Sequence, residues 1–241
     1  MPNYPNPPIT EAVLEIKVSV PADFATAQIE QLHELLPGYP TKKKRRTVES
    51  IFPVEGDTAP KTTSTDTGYF FTSENGKQIV QARPDGFALS QLNPYQGWEL
   101  FSGEAKQLWV QYKRIVQPIA VVGLGLRFVN RLDLPWPFND FKEFLATAPE
   151  VSPKMDQRLS NFVMMIETPQ NDIGALLRLT EALVPPPNED LVSILLDIDI
   201  HKNENLSCED DAIWTSLEQL RNRKNEIFEA CITDKTRELF K

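Results

Sequence analysis

Cysteine, histidine and glycine are scarce in this sequence of 241 residues, which has two cysteines, two histidines and ten glycines. Two cysteines do not build a disulfide framework, and two histidines leave little material for a zinc site. The motifs GxxxxGK[ST], GxGxxG, HExxH and GxSxG are also absent. The sequence therefore indicates no catalytic residue, no metal and no cofactor. It leans against an enzyme, although catalytic groups that are distant in sequence would leave no such motif.

Long apolar runs are missing as well. None approaches the roughly 18–20 residues of a membrane span, and the proline-rich start lacks the apolar core of a signal peptide. We therefore expect a cytoplasmic protein that does not engage a membrane.

Positive charge is also in deficit. The chain has 25 basic and 34 acidic residues, a formal net charge of −9, which disfavours broad contact with a phosphate backbone. One basic run stands out, and it is either a solvated strand that discourages edge pairing or a local nucleic-acid contact. It comprises Lys42, Lys43, Lys44, Arg45 and Arg46.

Proline is abundant, with 20 residues, and it clusters at the start of the chain. This composition predicts an extended, unanchored N-terminal arm over residues 1–10. From Gly56 to Thr67 no apolar residue is larger than alanine, which predicts a mobile hairpin loop.

Periodicity predicts a strand–helix–strands–helix order. Alternating apolar residues predict a strand over Glu11–Val20, and a stripe from Phe24 to Leu36 predicts a helix. Further strands are expected near 42–54, 68–73, 77–83 and 86–92, with a hairpin at Asn75-Gly76. An apolar stripe then predicts a long helix from Tyr95 to Val116.

The pattern then begins again. A strand is expected near 119–134, a helix from Phe141 to Pro149, strands near 157–168, 173–183 and 190–201, and a helix from Cys208 that breaks near Ile232. Trp98 and Trp214 open the two long helices. We therefore predict an α+β fold of two tandem β-α-β(2-4)-α repeats, forming a curved antiparallel sheet with long helices packed on one face. The repeats would span residues 11–117 and 118–241, as separate units or as one continuous domain.

The opposite sheet face would then carry the polar positions of the strands. It is either a solvated surface with cross-strand ion pairs or a recognition surface for a partner or ligand. Trp136, flanked by two prolines, is either a partner contact or a local hydrophobic staple. The other candidates on this face are Glu15, Lys17, Arg127, Arg131, Asp133, Asp197, Asp199 and His201.

Several sequence blocks together resemble a family of uncharacterised, sporadically distributed prokaryotic proteins of about this length. The blocks are PPITEAVLE from Pro7, GLRFVNR from Gly125, LDIDI from Leu196, and the C-terminal NEIFE, ITD and RELF segments. The resemblance covers nearly the whole chain but implies no activity and no catalytic residue. A patchy distribution implies an association with mobile or defence-related genes.

Three functions follow from these observations. The leading hypothesis is a non-enzymatic protein-binding or regulatory subunit, an accessory component of a prokaryotic defence or toxin-related system, whose partner is another protein or a second copy. The second is a nucleic-acid-binding component that uses the basic run with Arg127 and Arg131. The third is a helix-grip-like domain or enzyme that binds a small ligand, which predicts a cavity beneath the long helices lined by Trp98, Trp109 or Trp214.

Overall fold

A computed structural model describes residues 4–51, 61–152, 154–155, 159–208 and 210–241. Within these ranges the chain forms a single antiparallel sheet of nine strands. The strands are β1 (Ile9–Ser19), β2 (Thr41–Ile51), β3 (Lys61–Thr72), β4 (Gln78–Arg83), β5 (Gly86–Leu92), β6 (Ala120–Pro135), β7 (Val163–Gln170), β8 (Ala175–Val184) and β9 (Leu191–Leu206).

The described helices are α1 (Leu32–Leu35), α2 (Trp98–Val116), α3 (Asp210–Cys231) and α4 (Asp234–Arg237). Short 3-10 turns cover Thr26–Gln31, Phe141–Glu143 and Glu238–Phe240. Helix α2 packs against β5, and α3 packs against β6 and β9. Thr233 precedes α4 in an extended conformation, which confirms the predicted break near Ile232.

The strand order is β2-β3-β4-β5-β1-β6-β9-β8-β7, so β1 and β6 lie at the centre of the sheet. Their register pairs Leu14 with Leu126 and Glu15 with Gly125. Because successive side chains on a strand point to opposite faces, this register places a row of aliphatic residues on one face and polar residues on the other. The aliphatic row of β1 is fully buried at Ala12, Leu14 and Ile16.

The predicted fold class is wrong. The chain does not form two tandem β-α-β repeats with long helices packed on one face, because all nine strands belong to one sheet and strand dominates over helix. The helix expected over Phe24–Leu36 is a 3-10 turn followed by the four residues of α1. The helix expected from Phe141 to Pro149 is a three-residue 3-10 turn. The predicted antiparallel sheet itself is confirmed.

Aromatic packing explains the second of these short turns. Phe138 contacts Phe141 and Phe144 edge to face, with ring centroids 5.2 and 5.3 Å apart. Leu145 forms a bridge to Ile232 instead of continuing a helical stripe. The phenylalanines therefore form a compact cluster that does not require a helix.

Two further predictions need correction. Residues 61–67, within the expected loop, belong to β3, since their threonines suit a strand; residues 56–60 lie outside the described residues. The N-terminal arm is anchored by two hydrogen bonds. The backbone N–H of Asn6 donates to the Phe240 carbonyl at 3.2 Å, and the Tyr4 hydroxyl donates to Glu229 Oε1 at 2.8 Å. Residues 1–3 of the arm lie outside the described residues, and Ile9 and Thr10 belong to β1.

Candidate ligand cleft beneath helix α3

A cleft of about 690 Å³ lies between the N-terminal arm, the start of α2, β6 and α3. The arm contributes Pro5, Pro7 and Pro8 to one wall. Most of the remaining apolar lining of the cleft consists of aromatic rings from four different parts of the chain. The residues that carry these rings are Tyr4, Tyr95, Trp98, Phe128 and Phe228.

Lys224 is one of three charged residues of helix α3 that line this cleft. It lies on the apolar stripe of the helix, four residues after Leu220 and four before Phe228. Its side chain is therefore drawn under the helix, and the residue is only 8% exposed. The Nζ atom lies 3.9 Å from the centroid of the Phe128 ring. Lysine is almost never buried to this degree without an acidic partner.

The other charged groups that line the cleft differ from Lys224, because they are paired or exposed. Arg221 Nη1 donates to Glu218 Oε1 at 2.8 Å, and Trp98 Nε1 donates to the second oxygen of Glu218 at 2.5 Å. Glu229 accepts from Tyr4 and, at 2.8 Å, from Arg237 Nε. Glu99 is exposed to solvent.

Lys224 has no hydrogen bond or ion pair with any described residue. Its one polar contact is the attraction of the cation to the face of the Phe128 ring, which is worth about 2 kcal/mol when desolvated. Burial, with a smaller contribution from the charge of Arg221, lowers the pKa of Lys224 to about 7. The residue therefore exists as both ammonium and neutral amine near pH 7, and neither form has a hydrogen-bond partner in the described part of the chain.

Amide side chains supply the neutral polar groups of the cleft. Asn130 is buried, and its Nδ2 donates to the carbonyls of Phe128 at 3.2 Å and Leu196 at 3.0 Å. These bonds fix Asn130 beneath the cleft as a structural residue of β6. Gln96, Asn222 and Asn225 lie along the rim, where an incoming ligand meets amide donors and acceptors.

Lys224 was not among the site residues predicted from the sequence. A signal was present, because Leu217, Leu220, Lys224, Phe228 and Cys231 follow one another at helical spacings of three and four. A lysine at an apolar stripe position is usually expected to extend its long side chain along the helix surface, so that its ammonium group reaches solvent. Only the packing of the N-terminal arm and Phe128 around it shows that this lysine stays inside.

The polar sheet face brings most of the predicted site residues together. Glu15 accepts from Arg83 at 2.6 Å and lies 3.8 Å from Lys17 Nζ. Arg127 binds Asp197 with two parallel hydrogen bonds of 2.9 and 2.6 Å. His201 Nδ1 lies 3.9 Å from Asp199. Gly125 lies between Glu15 and His201 in the strand register. Because glycine has no side chain, no side chain separates these two residues.

Asp199 is the less satisfied carboxylate of this group. Burial raises the pKa of Asp199 above its ordinary value, and the neighbouring Asp197 adds to the shift, while His201 and Arg127 oppose it. Within the described residues, no three His, Cys, Asp or Glu side chains come together as metal ligands. The face is an array of internal ion pairs.

Arg131, Asp133 and Trp136 lie further along β6. Arg131 donates to Asp133 Oδ1 at 2.9 Å and to Ser193 Oγ at 2.9 Å, so its charge is used internally. Trp136 is 53% exposed and contacts Phe138 edge to face at 5.4 Å. It also lines a second cavity of about 1150 Å³. Lys142 and Glu150, which line this cavity, form an ion pair with each other.

The basic run forms much of the edge strand β2. Lys42 pairs with Glu30 at 2.6 Å, and Asp66 accepts from both Lys44 at 2.7 Å and Arg46 at 2.9 Å. Arg45 donates to Thr67 at 2.7 Å, and Lys43 is exposed. Three of these five cations therefore have a carboxylate partner, which reduces the charge available to a phosphate backbone.

No family model matches the chain, and no curated protein matches it. Among the described residues, no helix is both long and apolar enough to cross a membrane.

Proposed function

We propose that the protein binds a small organic anion with an aromatic or other apolar body in the cleft beneath α3. The observation that carries this proposal is the buried, unpaired Lys224 side chain, which faces a cleft lined by aromatic rings. Trp98 lines this cleft, whereas Trp109 is fully buried in the core and Trp214 is not among the residues that line the cleft.

The chemistry of the walls specifies the two parts of the ligand. Rings and prolines favour a flat apolar body, since ligand sites combine apolar walls with a few polar groups that fix orientation. Lys224 supplies one positive charge that Glu218 and Glu229 do not neutralise, because their hydrogen bonds go to other residues. An acidic group placed near Nζ would restore the partner that this lysine lacks.

An aromatic sulfonate tests the proposal directly. The fluorescent anion 8-anilinonaphthalene-1-sulfonate is titrated into the full chain at pH 6, and we expect one saturable site. In K224M we expect the Kd to rise about tenfold or more, because a hydrogen bond to a charged group is worth about 1.5–3 kcal/mol. In the unaltered protein the affinity should fall between pH 6 and pH 9, since Lys224 loses its proton over that interval.

The matched control is K235M. Lys235 also lies over a phenylalanine ring, Phe144, but it is ion-paired to Glu143 and its side chain is 51% exposed. This substitution should leave the Kd unchanged. Equal affinity in K224M and the unaltered protein, with both folded by circular dichroism, would contradict the proposal.

The polar sheet face supports a second candidate function, binding of a protein partner. Its edge strand β7 exposes Val163 at 71% and Met165 at 61%, in register with Ala182 and Thr180 on β8. These two exposed apolar side chains lie on the strand that pairs with β8, which carries Arg178, and such a mixture of apolar and charged groups resembles the composition of protein interfaces. A partner recovered with the unaltered protein and with K224M, but lost with the double variant V163D/M165D, would support this function over the first.

A further inference from the structure

Lys224 and Lys235 have the same aromatic contact but different access to reaction. Lys224 Nζ is 3.9 Å and Lys235 Nζ is 4.3 Å from the centroid of a phenylalanine ring. Lys235 also donates to Glu143 Oε2 at 2.6 Å, so it has a carboxylate partner. Lys224 makes no such bond within the described chain, and its nitrogen borders a cleft large enough for an aromatic molecule.

We propose that Lys224 captures the carbonyl carbon of aromatic aldehydes as a reversible imine inside the cleft. This inference rests on the proposed function, because the same walls would hold the body of the aldehyde. A primary amine that no carboxylate holds as an ammonium ion is the group that forms imines with carbonyl compounds. The rings of Trp98, Tyr95 and Phe128 suit an aromatic substituent.

The acid–base state of Lys224 supports this reaction at neutral pH. Burial brings the pKa of this amine to about 7, so roughly half of it is neutral there. An ordinary lysine, with a pKa near 10.4, is neutral in less than about one molecule in a thousand at pH 7. Lysines act as nucleophiles in proteins when desolvation in an apolar pocket lowers their pKa in this way.

The reaction balances without any oxidant or reductant. The lone pair of the neutral Nζ attacks the carbonyl carbon, a C–N bond forms, and the electron pair of the C=O π bond moves to oxygen. Transfer of a proton from nitrogen to that oxygen gives a carbinolamine. Departure of the oxygen as water, with loss of the second nitrogen proton, forms the C=N bond, and addition of water reverses the sequence.

Reductive trapping tests the inference. The full chain is incubated at pH 7 with benzaldehyde and sodium cyanoborohydride, which converts an imine to a stable benzylamine, and the modified lysines are identified by peptide mass spectrometry. We expect Lys224 to be benzylated at least about tenfold faster than Lys235. We also expect the K224R variant, which keeps a cation but has no primary amine, to lose only the cleft modification. Saturating 8-anilinonaphthalene-1-sulfonate should slow the reaction at Lys224 and leave Lys235 unchanged.

The two proposals fail in different ways. If the sulfonate binds in a Lys224-dependent manner but Lys224 is benzylated no faster than Lys235, the imine inference is overturned and anion binding stands. If Lys224 is neither preferentially benzylated nor required for sulfonate binding, both are overturned. Preferential benzylation that the sulfonate blocks supports both.

Discussion

The two lysines that lie over phenylalanine rings show how one residue type takes opposite roles at the C-terminal end of this chain. Lys235 sits at the start of α4, half exposed, with Glu143 beside it. Lys224 sits within α3 on an apolar stripe, 8% exposed, and no carboxylate of the described residues pairs with it. The aromatic contact is common to both lysines, so it does not explain why the pKa of Lys224 is lowered.

Burial on the apolar stripe accounts for the lowered pKa of Lys224, with a smaller contribution from the charge of Arg221. A buried ammonium without a counterion costs several kcal/mol of solvation, and the side chain responds by releasing its proton more readily. A half-exposed ammonium next to a carboxylate keeps its hydration and its partner. Lys224 therefore destabilises the fold when it is protonated.

The largest expected effect is on the pH dependence of folding. The pKa of Lys224 is about 7 in the folded protein and 10.5 for an unperturbed lysine. Between these values the unfolded chain holds more protons, so the free energy of unfolding should rise with pH, by up to about 5 kcal/mol from this group. Urea unfolding at pH 6 and pH 10 should show that K224M lacks this rise.

K235M is the control for that measurement. This variant should keep the same rise in unfolding free energy between pH 6 and pH 10 as the unaltered protein. If K224M and the unaltered protein show parallel pH profiles, then Lys224 is protonated in both states and the contrast between the two lysines is lost.

A smaller effect of opposite sign is expected at Glu181, the acidic counterpart of Lys224. This residue is fully buried on β8, and neither carboxylate oxygen has a hydrogen-bond partner among the described residues. Burial raises the pKa of Glu181 from 4.5 to about 7. The folded state therefore holds more protons between these values, and stability should fall as the pH rises. The stabilisation of E181M over the unaltered protein should be about 3 kcal/mol greater at pH 8 than at pH 4.

Thermal unfolding over this pH range measures the Glu181 effect. E181Q, which keeps the shape without an ionisable group, should share the flattened pH profile of E181M. A pH dependence that survives in both variants would show that another group is responsible for it.

The smallest effect is expected at the paired lysine. E143Q removes the carboxylate that accepts from Lys235. Because this ion pair lies at the surface, we expect only a small loss of stability, and a smaller one in high salt. A loss in chemical unfolding as large as that expected from Lys224 would mean that the Lys235 pair is not a weak surface interaction.

The strands were the most predictable part of this fold. Alternation places β1 within two residues of its observed bounds, and Asn75-Gly76 correctly predicts the turn between β3 and β4, with Gly76 at a φ of +69°. Helix α2 ends at Val116 as its stripe indicates. These features depend on local periodicity and turn chemistry, which a single sequence carries.

Other features depend on contacts between distant residues, and the sequence did not reveal them. The short turns after β1 and β6 have apolar spacing that suits a helix, but their phenylalanines and leucines pack in clusters. The burial of Lys224 requires the arm from Tyr4 to Pro8, more than 200 residues earlier, to close over α3. The predicted polar residues do share one sheet face, yet the structure also shows that most of them are already paired with each other.

The titration of Lys224 tests the central claim most directly. In protein labelled with ¹³C at lysine Cε, the chemical shift of each lysine is followed by NMR from pH 5 to pH 11. One resonance, absent from the spectrum of K224M, should titrate with a midpoint near 7. If every lysine resonance titrates above pH 9, Lys224 is an ordinary solvated ammonium and the account of the cleft is contradicted.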